Sequence, residues 1–152
     1  PGQVIMDATT YTLSSGHKIP LIGLGTAAHQ DKDSMVNAIL NAGYLHIDTA
    51  HIYGNEELVG QALAEAFAKG KKREEIFVTT KIWLAQYGDV EGAIKGSLQK
   101  LGLDYVDLYL VHWPHMYHAE AKKPLHVLWA EMEALVGKGL TKSIGVSNFN
   151  TQ

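Results

Sequence analysis

The sequence predicts an α/β protein built around a parallel β-sheet, and three observations lead to this prediction. Short apolar segments of strand-forming residues alternate with longer segments whose apolar residues recur at helical spacing. This β-α alternation occurs four times and is followed by a fifth strand. The strand segments are short and mainly apolar, as parallel strands are when helices cover them. No linker or low-complexity segment interrupts the series, so residues 1–152 are predicted to form a single domain.

The first predicted elements are a short β-hairpin and one β-α unit. Turn-forming residues separate two short strand segments, which places the hairpin at about residues 11–20. An apolar strand interrupted by two glycines follows at Leu21–Thr26, and the β-α units extend from there to about residue 149. Helical spacing then predicts a helix over about residues 33–42, with Asp33 or Ser34 as its N-cap.

The second β-α unit is predicted to consist of a strand, a short loop and a helix. Strand-forming residues predict a strand that starts after Gly43 and has Asp48 at its C-terminal end. Asn55 is a suitable N-cap for the next helix, predicted at about Glu56–Lys69, and Gly70 ends that helix.

The remaining elements repeat the same pattern. Asp89 is predicted to cap the third helix and Gly102 to end it, while Pro124 suits the first turn of the fourth. The last three strands are predicted at residues 76–81, 105–111 and 142–146.

Composition excludes several classes of protein. The 152 residues include 46% hydrophobic residues and carry a net charge of −3, which gives no reason to expect a nucleic-acid partner. There is no cysteine, and so no disulfide framework or thiolate chemistry. No apolar run is long enough to cross a bilayer. We therefore expect a soluble protein in the cytoplasm.

Polar side chains recur where the predicted strands end. Asp48 ends the second strand and Tyr53 follows it, Lys81 ends the third strand and His112 ends the fourth. In parallel α/β folds these carboxyl ends share one edge of the sheet, where ligands bind. We therefore expect the four side chains to converge.

This combination of side chains predicts proton delivery to a carbonyl oxygen. A free tyrosine, with a pKa of about 10, is a poor acid near neutral pH, but a nearby ammonium stabilises the phenolate. Lys81 can serve as that ammonium, Asp48 can hold it in place, and His112 can donate a hydrogen bond to the substrate oxygen. None of these side chains supplies a hydride, so a cofactor is expected to do so.

The chain resembles the aldo-keto reductase family in four separated blocks that occur in the family's order. They are Gly43–Ala50 with Tyr53 and Asn55–Glu56, Thr80–Trp83, Asp107–Pro114, and Ile144–Phe149. The resemblance implies a (β/α)₈ TIM-barrel type of fold, of which this chain holds an N-terminal β-hairpin and about five of the eight β/α units.

The resemblance also implies a function. It predicts NADPH-dependent reduction of an aldehyde or ketone, with Tyr53 as the general acid. Asp48 and Lys81 would tune Tyr53, and His112 would orient the carbonyl. The cofactor (NADPH/NADP⁺) would contact Gly25, Thr26, Asp48, Ser147 and Asn148, and the substrate pocket would be lined by Trp83 and Trp113. The contacts to the adenosine 2′-phosphate would lie beyond Gln152, in a further segment or chain that completes the barrel.

Two alternatives concern the reactive side chains themselves. Asp48 and Lys81 could form an ordinary ion pair beside a partly buried Tyr53, since structural ion pairs also cluster. The whole chain could then be a truncated, non-catalytic relic of a barrel, kept for a structural or partner-binding role.

Two further alternatives are weaker. His112, His115 and His118 have a spacing that could suggest a metal, but Pro114 argues against one helix presenting all three, and we expect no metal site. The pattern Gly23-x-Gly25-x-x-Ala28 matches a dinucleotide-binding fingerprint, but the next predicted helix starts too late to meet a pyrophosphate.

Overall fold

The computed structural model describes residues 10–114 and 123–150. Within these residues, the order of strands and helices is the predicted one. The strands are β1 (Thr10–Thr12), β2 (Lys18–Pro20), β3 (Leu24–Gly25), β4 (His46–Asp48), β5 (Phe77–Ile82), β6 (Val106–Val111) and β7 (Thr141–Val146). The helices are α1 (Lys32–Leu40), α2 (Glu56–Ala68), α3 (Val90–Leu101) and α4 (Leu125–Gly137).

Strands β3 to β7 form one parallel sheet in chain order, and β1 and β2 form the predicted antiparallel hairpin. The carboxyl ends of all five parallel strands therefore lie at the same edge. A doubly wound dinucleotide-binding sheet would reverse its strand order, and this sheet does not. Helix α1 begins only at Lys32, several residues after Gly25, so the dinucleotide fingerprint is not supported.

The two faces of the sheet differ in what covers them. On β5 the Thr80 hydroxyl donates a hydrogen bond to Glu56 of α2, so Thr80 faces the helices. Because side chains alternate along a strand, Lys81 points to the opposite face. The helix face is closely packed, and Val78, Ile82 and Tyr109 are fully buried there.

The face opposite the helices is less completely covered. Leu108 and Leu110 of β6 point to it and are only half-buried. The hairpin reaches this face, because the hydroxyls of Ser15 and Ser143 lie 2.6 Å apart. The His46 ring also lies here, with its Nε2 2.9 Å from the Thr79 hydroxyl.

The helix ends confirm some local predictions and correct others. Asp89 caps α3 by accepting a hydrogen bond from the Gly92 amide, and Gly102 ends that helix at a φ of 66°. The cap of α1 is Asp31, whose carboxylate accepts from the Asp33 amide, so the prediction of Asp33 or Ser34 was wrong. The cap lies earlier than predicted because the helix itself starts at Lys32.

The first sheet strand is shorter than predicted. Only Leu24 and Gly25 pair with β4, while Leu21 and Ile22 are each 60% exposed. An apolar run alone does not create a strand where there is no neighbouring strand for it to pair with. In the part of the chain that the structure describes, no helix is long and apolar enough to cross a membrane.

Candidate functional site

The four predicted catalytic side chains meet at the carboxyl edge of the sheet. Asp48 is the last residue of β4, Lys81 lies near the end of β5, and His112 follows β6 directly. Tyr53 ends a short 3₁₀ turn, His51–Tyr53, that leads from β4 towards α2. The parallel register brings these strand ends side by side, as the sequence predicted.

Lys81 is the centre of the site. Its ammonium forms an ion pair with the Asp48 carboxylate, donates to the Thr49 carbonyl at 2.9 Å, and lies 3.4 Å from the Tyr53 hydroxyl. The residue is only 5% exposed. A buried ammonium is costly unless its charge is compensated, and here a carboxylate and a carbonyl oxygen provide that compensation.

The turn that carries Tyr53 is fixed by its own backbone. The Tyr53 amide donates to the Ala50 carbonyl at 3.1 Å, and the Gly54 amide donates to the His51 carbonyl at 3.2 Å. Gly54 has a φ of 67°, which suits a residue without a Cβ. The Tyr53 ring meets the His112 ring edge to face, with centroids 5.8 Å apart.

His112 is buried and electrically neutral near pH 7. It is 7% exposed. Burial lowers the pKa of His112, and the Lys81 ammonium lowers it further, while Asp48 opposes this change. A neutral imidazole carries one N–H. Among the described residues Nδ1 has no hydrogen-bond partner, which favours the tautomer with the proton on Nε2, because a buried N–H without a partner is rarer than an unpaired acceptor.

Ser147 and Asn148 lie beside the end of β6. The Ser147 amide donates to the Val111 carbonyl at 2.9 Å, and the Asn148 side-chain amide donates to the His112 carbonyl at 2.9 Å. The same amide lies 3.0 Å from the Ser147 hydroxyl. Asn148 has a φ of 60° and is exposed, so the pair is presented to solvent next to His112.

Gly25 and Thr26 lie on the other side of Asp48. The amide and hydroxyl of Thr26 both donate to the Asp48 carbonyl, at 2.9 and 3.1 Å. Thr26 is 0% exposed, so its side chain serves the backbone of the site. Gly25 is exposed and has no neighbouring atom where a Cβ would stand, which leaves an open surface at this point.

Both tryptophans are neighbours of the histidine, Trp83 through a ring contact and Trp113 along the chain. The Trp83 ring meets the His112 ring edge to face, at a centroid distance of 5.3 Å. Trp113 follows His112 in the chain and is 39% exposed. The structure thus places a phenol, an ammonium–carboxylate pair, an imidazole and the Trp83 ring together at one edge of the sheet.

Asn55 has a role that sequence reasoning missed. Its side chain does not cap α2. Instead, its amide donates to the carbonyls of Thr26 at 2.6 Å and His29 at 3.1 Å, and its oxygen accepts from the Thr49 hydroxyl at 3.1 Å. Asn55 therefore ties the loop after β3 to the end of β4. Asn55 does occupy the N-cap position of α2, but the predicted capping hydrogen bond was wrong, because the side-chain oxygen accepts from the Thr49 hydroxyl rather than from a helix amide.

Glu56 was also missed. It is 2% exposed, its Oε1 accepts from the Thr80 hydroxyl at 2.6 Å, and its Oε2 lies 4.0 Å from Nδ1 of His51. The only signal in the sequence was its place within the block that resembles the reductase family. A glutamate in the first turn of a helix is otherwise expected to be exposed.

No group of three potential metal ligands occurs in residues 10–114 and 123–150. His112 packs between Tyr53 and Trp83 instead. His115 and His118, the other two members of the histidine pattern, lie outside the described residues.

Sequence comparison shows that the chain is similar to known aldo-keto reductases. The chain is 47% identical to aldo-keto reductase family 1 member A1 of Xenopus tropicalis, over 91% of this chain and 49% of that protein. It is 42% identical to an aldose reductase of Encephalitozoon cuniculi, over 95% of this chain and 54% of that protein. The chain thus spans about half the length of the curated relatives it matches.

A solved structure extends the similarity to three dimensions. An aldo-keto reductase of Bombyx mori, solved in complex with NADP, superposes with a TM-score of 0.85 and 42% sequence identity. The match covers 94% of this chain and 51% of that one. It confirms the predicted fold class, a (β/α)₈ barrel type of which this chain contains about five units.

The chain also matches the sequence model of a protein family. The model of the Aldo/keto reductase family matches residues 14–152, which include all five parallel strands and every side chain of the site. Because this match extends over nearly the whole chain, the chain belongs to the aldo-keto reductase family.

Proposed function

We propose that the protein carrying this chain reduces an aldehyde or ketone to an alcohol with NADPH, and that Tyr53 is the general acid. One observation carries this proposal: the buried Lys81 ammonium contacts both the Asp48 carboxylate and the Tyr53 hydroxyl, beside a neutral His112. An ordinary structural ion pair would not require a phenol and an imidazole at the same point.

Each side chain has a distinct part in this proposal. When Tyr53 gives its proton to the carbonyl oxygen, the phenolate left behind lies beside the Lys81 ammonium, which stabilises it. Asp48 keeps the ammonium in position. His112 donates a hydrogen bond to the same carbonyl oxygen and so fixes the substrate's orientation. Trp83 and Trp113 provide apolar walls for the remainder of the substrate.

The residues near His112 fit the nicotinamide end of the cofactor. NADPH, when bound, supplies the hydride. Asn148 uses its amide N–H groups internally, which leaves its oxygen as an acceptor, and the Ser147 hydroxyl can donate. Together they complement the N–H and C=O groups of a carboxamide. Gly25 offers an open backbone surface on the other side of Asp48.

The cofactor proposal is supported by the Bombyx mori relative, which was solved with NADP. A cytoplasmic location, a small carbonyl substrate, and a further segment that completes the barrel belong to the same proposal. The alternative of a non-catalytic relic gains no support from the site, where the four side chains are in contact.

Replacing Tyr53 with phenylalanine tests the proposal in the natural full-length protein. We expect Tyr53→Phe to lower the rate of aldehyde reduction by at least about a hundredfold, the usual scale of general acid catalysis. NADPH affinity, measured by fluorescence titration, should barely change, because the hydroxyl serves the substrate. Tyr11→Phe is the matched control, since Tyr11 is 64% exposed on the hairpin. Near-normal turnover in Tyr53→Phe would remove Tyr53 from the mechanism.

A further inference from the structure

The residues that follow β5 form hydrogen bonds to two other loops of the site. The segment consists of Trp83, the 3₁₀ turn Leu84–Gln86 and Tyr87. We call it the β5 turn. Leu84 and Tyr87 are 6% and 2% exposed, so the turn is anchored in the core. The polar atoms of Gln86 and Tyr87 form hydrogen bonds to residues of other loops.

Gln86 links the β5 turn to the turn that carries Tyr53. Its Oε1 accepts a hydrogen bond from the Trp83 amide at 3.0 Å. That contact fixes the orientation of the side-chain amide, so its Nε2 faces Nδ1 of His51 at 3.2 Å as a donor. His51 begins the 3₁₀ turn that ends at Tyr53. The Gln86 side chain therefore connects the backbone of Trp83 to the turn that carries Tyr53.

Tyr87 links the β5 turn to the other tryptophan. Its hydroxyl donates to the Trp113 carbonyl at 2.5 Å. Burial raises the pKa of Tyr87 to about 12, so the hydroxyl keeps its proton and remains a donor throughout the physiological range. Trp113 is 39% exposed, and this hydrogen bond anchors its backbone to the β5 turn.

We propose that Gln86 and Tyr87 are positioning residues that hold the Tyr53 turn, Trp83 and Trp113 at a fixed spacing and thereby limit the size of carbonyl substrate that the site accepts. The size limit rests on the proposed function, whereas the positioning role does not. Neither residue touches the reacting atoms in this proposal. Each acts through a hydrogen bond to a loop that carries a site residue.

Tyr87→Phe tests the link to Trp113, and the chain offers a matched control. The substitution removes one hydroxyl and its hydrogen bond and keeps the ring. Tyr109→Phe makes the same chemical change at a residue that is 0% exposed and whose hydroxyl has no partner among the described residues. The full-length protein is labelled with 5-fluorotryptophan, and the ¹⁹F signals of Trp83, Trp113 and Trp129 are assigned by single Trp→Phe replacements.

We expect the Trp113 signal to shift or broaden in Tyr87→Phe and to stay unchanged in Tyr109→Phe. The Trp129 signal should not move in either variant. The preference for a short aliphatic aldehyde over a bulky aromatic one, as a ratio of kcat/KM values, should fall about two- to tenfold in Tyr87→Phe, the range that loss of one neutral hydrogen bond produces. Tyr109→Phe should leave this ratio unchanged.

Gln86→Met provides the second variant, because methionine keeps the length of the side chain and removes both hydrogen bonds. We expect the Trp83 signal to move. We also expect kcat to fall more than KM rises, because the turn that carries Tyr53 loses its hydrogen bond to Gln86. Gln61→Met, at an exposed position of α2, is its control.

The outcomes separate the two proposals. An unmoved Trp113 signal in Tyr87→Phe, or an equal shift in Tyr109→Phe, overturns the positioning role of Tyr87 whatever the activity. If the unmodified protein reduces no carbonyl compound but the Trp113 signal still moves in Tyr87→Phe alone, the proposed function and the size limit are overturned and the positioning role is supported.

Discussion

At the scale of single residues, the site depends on a lysine that is both buried and charged. Lys81 is 5% exposed, and its ammonium contacts the Asp48 carboxylate, the Thr49 carbonyl and the Tyr53 hydroxyl. The first two contacts compensate for burial of the charge. The third allows that charge to act on the phenol, which a simple structural ion pair would not do.

Replacing Lys81 with methionine tests the effect of its charge on the reaction while keeping a side chain of similar volume. Methionine occupies a similar space and carries no charge, so the phenolate formed from Tyr53 would lose its stabilising partner. We expect Lys81→Met to lower the rate of carbonyl reduction, with the smallest loss under acidic conditions, where protons are easier to supply. The measurement is a pH profile of kcat/KM. Lys100→Met, at an exposed position of α3, serves as the control. An unchanged rate and profile in Lys81→Met would favour the ordinary ion pair.

At the scale of elements, α2 and α3 approach each other closely at one glycine. A Cβ placed on Gly60 of α2 would lie 2.5 Å from the Lys100 carbonyl oxygen and 2.8 Å from that of Leu101. These atoms belong to the backbone of α3 and cannot swing aside. Gly96 of α3, by contrast, has no atom within 4 Å of the same position.

This contrast predicts opposite effects of one substitution. An alanine is a better helix former than a glycine by about 1 kcal/mol. Gly96→Ala should therefore raise the free energy of unfolding by up to about that amount. Gly60→Ala should lower it, because the added methyl group pushes α3 away from α2. Urea unfolding of both variants measures the difference, and a stabilising Gly60→Ala would show that the helices separate easily.

His46 makes the contact between β4 and β5 sensitive to pH. Burial lowers the pKa of His46, and the Lys81 ammonium adds to this, while Asp48 and the Pro20 backbone act in the opposite direction. The folded protein therefore binds a proton at His46 less readily than the unfolded chain, whose histidines titrate near about 6.5. The stability that neutral His46 contributes is fully present above that pH, and it is lost as the pH falls through the lowered pKa of the folded state.

The variant His46→Gln removes this titration and can still hydrogen-bond to Thr79. We expect its free energy of unfolding to fall less between pH 7.5 and 5 than that of the unmodified protein, although His112, whose pKa is also lowered, still contributes. His17→Gln, on the exposed hairpin loop, should leave the pH dependence as it is. Equal acid sensitivity in all three proteins would contradict the assignment.

At the scale of the whole molecule, the five-stranded sheet has two edges. Strand β3 lies at one edge and β7 at the other. Apolar residues near these edges are open to solvent, with Leu21 and Ile22 each 60% exposed and Val146 46% exposed. Unpaired strand edges with apolar neighbours are surfaces on which proteins associate.

Residues 1–152 expressed alone should therefore aggregate, self-associate or need a partner. We also expect NADPH binding no tighter than about millimolar, because the family resemblance places the contacts to the 2′-phosphate beyond Gln152. Light scattering during size-exclusion chromatography and fluorescence titration provide the two measurements. A monodisperse monomer that binds NADPH at micromolar concentration and reduces an aldehyde would refute this prediction.

Much of the fold could be predicted from the sequence because its signals are local. The buried residues of α3 recur at helical spacing, and Asp89 and Gly102 lie where a cap and a helix end are expected. The parallel sheet follows from the alternation of elements, and parallel strands bring their carboxyl ends together. The order of residues along the chain is therefore enough to assign Asp48, Lys81 and His112 to one place.

The rest was decided by contacts between segments that lie far apart in the chain. Asn55 has the residue type of a helix cap, yet its amide binds carbonyls of Thr26 and His29, more than twenty residues away. Tyr87 and Tyr109 are both buried tyrosines, and only the fold gives one of them the Trp113 carbonyl as a partner. Spacing and composition determine which face of an element is buried, but which polar group meets another across that face depends on the packed tertiary structure.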